Sequence, residues 1–144
     1  MNRGIRRSIK IKPRFDEIDM LGMAHNSVYF KWFELGRLSL LQEIMSMEKA
    51  LDLGVHMPVV ENRCVYKRPV RFLDELVLVT TMPWNGKYQG KFVFEHVLSD
   101  SNTKEVKAQG ETTVTVYSAR EERLVRKLPK DVVEKIDYLA RGMT

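Results

Sequence analysis

The sequence predicts an α+β fold, and three observations carry that prediction. Apolar and polar residues alternate near the N-terminus, a long apolar run recurs at helical spacing over about residues 27–50, and four later stretches read as strands. A helix apolar on most sides needs a sheet that curls around it, and long twisted antiparallel strands do that. The order is strand, long buried helix, four strands and a short closing helix, with no repeat, linker or low-complexity segment to divide residues 1–144 into more than one domain.

In the first element Ile5, Ile9 and Ile11 are apolar, whereas Arg6, Ser8, Lys10 and Lys12 between and beside them are polar, the period-2 pattern of a half-buried strand. From about Ser27 the period changes. Val28, Tyr29, Trp32, Phe33, Leu40, Leu41 and Ile44 recur at helical spacing, and Phe30, Leu35 and Leu38 widen the apolar surface. Asn26 or Ser27 is placed to cap this helix, which is expected to run to about Ala50, before "LDLGVHMP" stops it. Strands are expected at about 59–66, 75–82, 90–99 and 105–117, separated by "FLD", "WNGKYQ" and "DSNT". Phe92, Phe94, Leu98, Val106, Ala108, Val114 and Val116 give the last two strands one apolar face each. Pro129 then opens a terminal helix, "KDVVEKIDYLA", because proline is tolerated in a first helical turn.

Composition narrows the function. The chain is 44% hydrophobic and 30% charged, an ordinary globular balance that needs no disulfide or metal to hold a core. Its single cysteine, Cys64, excludes an internal disulfide and a CxxC pair, and His25, His56 and His96 are too dispersed for metal-ligand spacing, so no metal is expected. The N-terminus lacks the apolar core of a secretory leader and no stretch reaches membrane-spanning length, which makes the cytoplasm the expected location and a membrane an unexpected partner. A net charge of +5 permits an anionic partner. Helix-turn-helix and RNA-binding signatures are missing, so nucleic acid is not expected, and neither a GxSxG elbow nor a phosphate loop occurs.

The chemistry is concentrated in "FDEIDMLGMAHNSVYFKWFELGR", residues 15–37, where three acids stand just before the buried helix. The start of a helix presents unpaired N–H groups and a favourable dipole, which together can receive the oxyanion of an acyl transfer without any side chain. Such pre-aimed donors are worth on the order of 3 kcal/mol of transition-state stabilisation each. A carboxylate beside them can attack or deprotonate water, and Gly22 lets the intervening backbone turn closely. Read by itself, an Asp before a helix is more often a cap or turn former.

The run Asp19-x-x-Gly22-x-x-x-Asn26-x-x-Tyr29, followed by Glu34-x-x-Arg37, resembles the active-site signature of acyl-CoA thioesterases of the 4-hydroxybenzoyl-CoA thioesterase type. "CVYKRPVRFLDELVL", residues 64–78, is similar to that family's strand-turn-strand segment. The resemblance implies a hotdog fold, in which a five-stranded antiparallel sheet wraps a long central helix, and a homodimer or homotetramer with active sites between protomers. It implies that Asp19 is nucleophile or general base and that the backbone N–H of Asn26 receives the thioester oxygen, with coenzyme A present only as part of the substrate. His25 stands one residue before the position where some relatives carry an imidazole. A second carboxylate, Glu34, lacks the "HGG" of a rival thioesterase branch and is expected to form a helix pair with Arg37.

Tyr29, Trp32 and Phe33 are placed either to line an acyl pocket or to fill the core, and Lys67, Arg68, Lys87 and Lys91 are candidates for the phosphates of coenzyme A. His96 reads as a hydrogen-bonded core histidine and Cys64 as a small buried hydrophobe. The expected reaction is hydrolysis of an acyl-CoA or acyl carrier protein thioester to a carboxylate and a thiol. The alternative is a hotdog module that binds an acyl thioester without turnover.

Overall fold

The computed structural model describes residues 4–142, so the ends of the unit expected over 1–144 lie outside the described residues. The alternating N-terminal stretch forms β1 (Gly4–Ile11), and a single 3-10 turn over Phe15–Glu17 leads through a loop into α1 (Val28–Ile44). Next come α2 (Met47–Leu53), the two-residue β2 (Val55–His56), then β3 (Val59–Tyr66), β4 (Leu76–Pro83), β5 (Phe92–Asp100) and β6 (Val106–Val114). Two short strands, β7 (Tyr117–Ser118) and β8 (Arg123–Leu124), precede the closing α3 (Lys130–Arg141).

Five strands make one antiparallel sheet in the order β1-β4-β5-β6-β3, while β2, β7 and β8 form a separate small ribbon that the alternation of the sequence does not reveal. Register along the main sheet is set by its apolar face. Leu76, Leu78, Thr80 and Met82 of β4 point inward at every second position, as do Phe92, Phe94, His96 and Leu98 of β5.

The long helix ends at Ile44, short of the expected Ala50, for a local reason. Ser46 takes an extended conformation and its side chain accepts the Lys49 N–H at 3.1 Å, capping a second helix instead of continuing the first. Gly54, in the left-handed region at φ 67°, closes that helix. Leu35 and Leu38, expected to widen the buried surface of α1, are about half exposed, because within one chain the sheet covers a single side of the helix. The buried side carries Tyr29, Trp32, Phe33, Gly36, Arg37, Leu40 and Ile44.

Close approach fixes how the helix lies on the sheet. A Cβ on Gly36 would overlap the Thr80 hydroxyl, and one on Gly110 would overlap the Phe33 ring, so both glycines are there to let helix and sheet meet. Phe33 stacks face to face on His96, with centroids 4.3 Å apart and planes 4° from parallel. Completely burying a ring of that size contributes about 2–3 kcal/mol.

Candidate active site

The loop ahead of α1 is closed by backbone bonds. Asp19 donates its N–H to the Met23 carbonyl at 2.8 Å, and Gly22, at φ 79°, returns its N–H to the Asp19 carbonyl at 3.0 Å. Only a residue without Cβ takes that left-handed turn freely. Asp19 itself is half-buried, and its Oδ1 accepts the N–H groups of Leu21 at 2.9 Å and Met23 at 3.2 Å. One carboxylate oxygen therefore shapes the loop, and no described residue hydrogen-bonds the other.

A second clasp joins this loop to the turn before β4. Ala24 donates to the Val70 carbonyl at 2.8 Å, and Met23 pairs with Arg71 in an isolated bridge. That turn is held by Asp74, whose Oδ2 accepts the Arg71 N–H at 2.9 Å. The two segments whose residues carry the family resemblance, 15–37 and 64–78, are thus laced together.

The acid two positions earlier has a structural task. Glu17 is buried, with Oε1 accepting the Arg14 N–H at 2.7 Å, Oε2 paired to Lys31 Nζ at 3.1 Å, and its carbonyl accepting the His25 N–H at 2.9 Å. It ties the loop to the first turns of α1.

At the helix start, Asn26 is exposed and none of the described residues accepts its N–H, so this donor is open to a ligand. Ser27 precedes α1 but does not cap it through its side chain; its hydroxyl lies 2.7 Å from His25 Nδ1, which also accepts the Ser27 N–H at 3.2 Å. His25 is exposed and engaged with this turn. Tyr66, at the end of β3, donates its hydroxyl to the Asn26 carbonyl at 2.6 Å and sets its ring edge-on to Tyr29 at 4.8 Å.

Several expectations change in the folded chain. Tyr29, Trp32 and Phe33 belong to the core rather than to an open pocket; burial pushes the Tyr29 phenol up to about 12 and keeps it neutral. Cys64 is half-buried rather than buried, and desolvation raises its thiol. Glu34 and Arg37 do not form the expected pair among the described residues. Glu34 faces outward, while Arg37 turns into the protein, where Nη1 reaches Thr112 Oγ1 at 3.4 Å and burial lowers its pKa.

Arg37 meets a buried polar chain that the sequence signals only through His96. Thr112 donates its hydroxyl to Asn62 Oδ1 at 2.6 Å, so its oxygen is left to accept the Nε2–H of His96 at 3.1 Å, and His96 Nδ1 accepts from Thr80 at 3.0 Å. Burial, reinforced by the Arg37 charge, pushes the His96 imidazole down to about 3. A histidine held neutral in this way is the expected core residue and no acid–base group at neutral pH.

The cations divide into two sets. Lys67 and Arg68 follow Tyr66, at the end of the sheet that carries Asp19, and Arg68 lies 3.8 Å from Glu105. Lys87 and Lys91 sit in the loop joining β4 to β5, at the far end of those strands. The 8 residues of β4 separate the two ends by about 23 Å at 3.3 Å per step. A single chain cannot gather all four around one short group. The apolar cavity of about 80 Å³ bounded by Leu41, Ile44, Met57, Phe92 and Val116 also lies at the far end of α1, away from Asp19.

A five-stranded antiparallel sheet laid on a long helix, with a loop carboxylate shortly before that helix, is the arrangement of the hotdog class of thioesterase folds. The family model of the thioesterase-like superfamily matches residues 13–136, and the chain belongs to that family. Bacillus subtilis "Putative acyl-CoA thioesterase YneP" is 30% identical over 105 residues, covering 69% of this chain and 72% of its own. Among solved structures, the hypothetical protein TT1821 of Thermus thermophilus superposes with a TM-score of 0.79 at 25% identity, over 92% of this chain and 98% of its own. The 1,4-dihydroxy-2-naphthoyl-CoA thioesterase Slr0204 of Synechocystis reaches the same TM-score, 0.79, at 16% identity, over 93% and 97% of the two chains, a likeness of fold.

Proposed function

We propose that the protein hydrolyses an acyl-CoA or acyl carrier protein thioester, with Asp19 as the reacting carboxylate and the Asn26 N–H as oxyanion donor. The observation that carries this reading is the presence, in one segment ahead of α1, of a carboxylate oxygen and a backbone N–H that have no hydrogen-bond partner among the described residues. Asp19 either takes a proton from water as it attacks the thioester carbon or attacks that carbon itself; water then releases the acyl group from the carboxylate. In both courses a C–O bond forms, the C–S bond breaks, and the thiolate leaves to be protonated. Charge growing on the carbonyl oxygen meets the Asn26 donor and the dipole of α1.

The complete site is proposed to require a second copy of the chain. Among the described strands β3 borders one edge of the main sheet with Val59, Val60, Val65 and Tyr66 exposed, and Met20, Leu21, Leu35 and Leu38 expose further apolar surface on the loop and on α1. An open apolar edge of this kind invites cover. A partner would also bring Lys87 and Lys91 of one chain within reach of the Asp19 end of the other, beside Lys67 and Arg68, to meet the phosphates of coenzyme A.

One observation favours the non-catalytic alternative: Asp19 Oδ1 already has a complete structural task in shaping its loop. Mixing purified protein with a panel of acyl-CoAs and measuring free thiol distinguishes them. Release of thiol above the rate in buffer supports the hydrolase; binding without release supports the module.

A further inference from the structure

The carbonyl of Asn26 is held from outside its own helix. In the first turn of α1 the Phe30 N–H turns to the Ser27 carbonyl at 3.3 Å and the Val28 N–H to the His25 carbonyl at 3.0 Å, so that among the described residues the Asn26 carbonyl accepts from the Tyr66 hydroxyl alone. At 2.6 Å this bond ties β3 to the helix start across 40 residues of sequence. The other side of the same peptide, the Ser27 N–H, is held locally by His25 Nδ1 at 3.2 Å, so Tyr66 supplies the anchor on its carbonyl side. The Tyr66 ring is set in turn by its edge-on contact with Tyr29, which is buried and stacked edge-on against Trp32 at 5.1 Å.

We infer that Tyr66 is a positioning residue for the oxyanion donor, and this rests on the thioesterase reading given above. The Asn26 N–H and carbonyl lie in neighbouring peptides joined at one Cα, so an anchor on the carbonyl narrows the φ and ψ range through which the N–H can drift from a substrate oxygen. A phenol anchored on a rigid strand removes that freedom before substrate arrives, so the donor pays no reorganisation when the oxyanion forms. Partial desolvation of the hydroxyl raises the Tyr66 phenol above its ordinary value, so it stays protonated and a donor throughout the neutral range.

The test is Tyr66→Phe, which keeps the ring and removes the hydroxyl, with Tyr138→Phe on the exposed face of α3 as a control. Because small misplacements of a reacting group cost up to about a hundredfold, kcat is expected to fall about ten- to a hundredfold while KM stays within about twofold. In the same variant the Asn26 carbonyl carbon resonance moves upfield, as a lost hydrogen bond requires, and the Leu21 and Met23 amides bound to Asp19 stay in place. Equal kcat in variant and wild type overturns the inference, as does an unmoved Asn26 resonance. If Tyr66→Phe does not fold, 3-fluorotyrosine at position 66 keeps the phenol and strengthens its O–H; the Asn26 resonance then moves downfield, and no movement overturns the inference. A wild type that cleaves no thioester overturns the parent reading, whereas a wild type that does so beside an equally fast Tyr66→Phe overturns this inference alone.

Discussion

Two residues show how far a side chain's neighbours decide its role. Glu17 and Asp19 are two positions apart and both carboxylates, yet one is buried with both oxygens committed and the other is half-buried with only one committed. The motif spacing that singles out Asp19 was legible; the task of Glu17 was not, because its partner Lys31 lies a loop and a helical turn away. His96 was legible as a core histidine from its place on the apolar face of β5. Its consequence for pH is direct. The unfolded imidazole binds a proton below about pH 6.5 while the folded one resists until about pH 3, so the stability tied to this group is complete above 6.5 and is lost as pH falls through that window. Denaturation of His96→Gln beside wild type, from pH 7 to pH 4, is expected to show the wild type losing about 1.4 kcal/mol per pH unit more than the variant below 6.5. A constant offset between the two curves would mean that His96 does not titrate as its burial demands.

At the scale of elements, three of the four later strands were readable to within two residues, the expected 59–66 being β3 as observed and 75–82 being β4 shifted by one, whereas the expected 105–117 stops three residues early at Val114 and its last residue pairs in β7 instead. The end of α1 was not readable, since no glycine or proline marks a stop between Ile44 and "LDLGVHMP", and the break is made by a single hydrogen bond of Ser46. Ser46→Ala removes that cap and is expected to destabilise the protein by about 1 kcal/mol, read from the urea midpoint at unchanged slope. The two-residue strands β2, β7 and β8 are too short to carry a period and owe their pairing to tertiary contacts. The same reasoning explains Arg37, which helical spacing joined to Glu34 and the fold joined to Thr112 instead. Spacing along a helix says which side chains can meet; the sheet beneath decides which do.

For the whole molecule, the sequence carried the fold class, and family membership agrees with the resemblance of residues 15–37 and 64–78. In the sequence the proposed association rests on that resemblance alone, since the exposure of Val60, Val65, Leu35 and Leu38 emerges once the sheet is ordered. Light scattering at micromolar concentration is expected to give two or four times the chain mass of 16.8 kDa; a monomer of full activity would contradict a site shared between copies. No helix among the described residues is long and apolar enough to cross a membrane. The central claim, that a loop carboxylate performs the hydrolysis, is tested most directly by thiol release from an acyl-CoA catalysed by Asp19→Asn, measured beside wild type and Glu34→Gln. The account predicts a loss of at least about a hundredfold in kcat for Asp19→Asn, with the fold intact by circular dichroism, and a smaller effect for Glu34→Gln. Near wild-type turnover in Asp19→Asn, or a severe loss confined to Glu34→Gln, would contradict it.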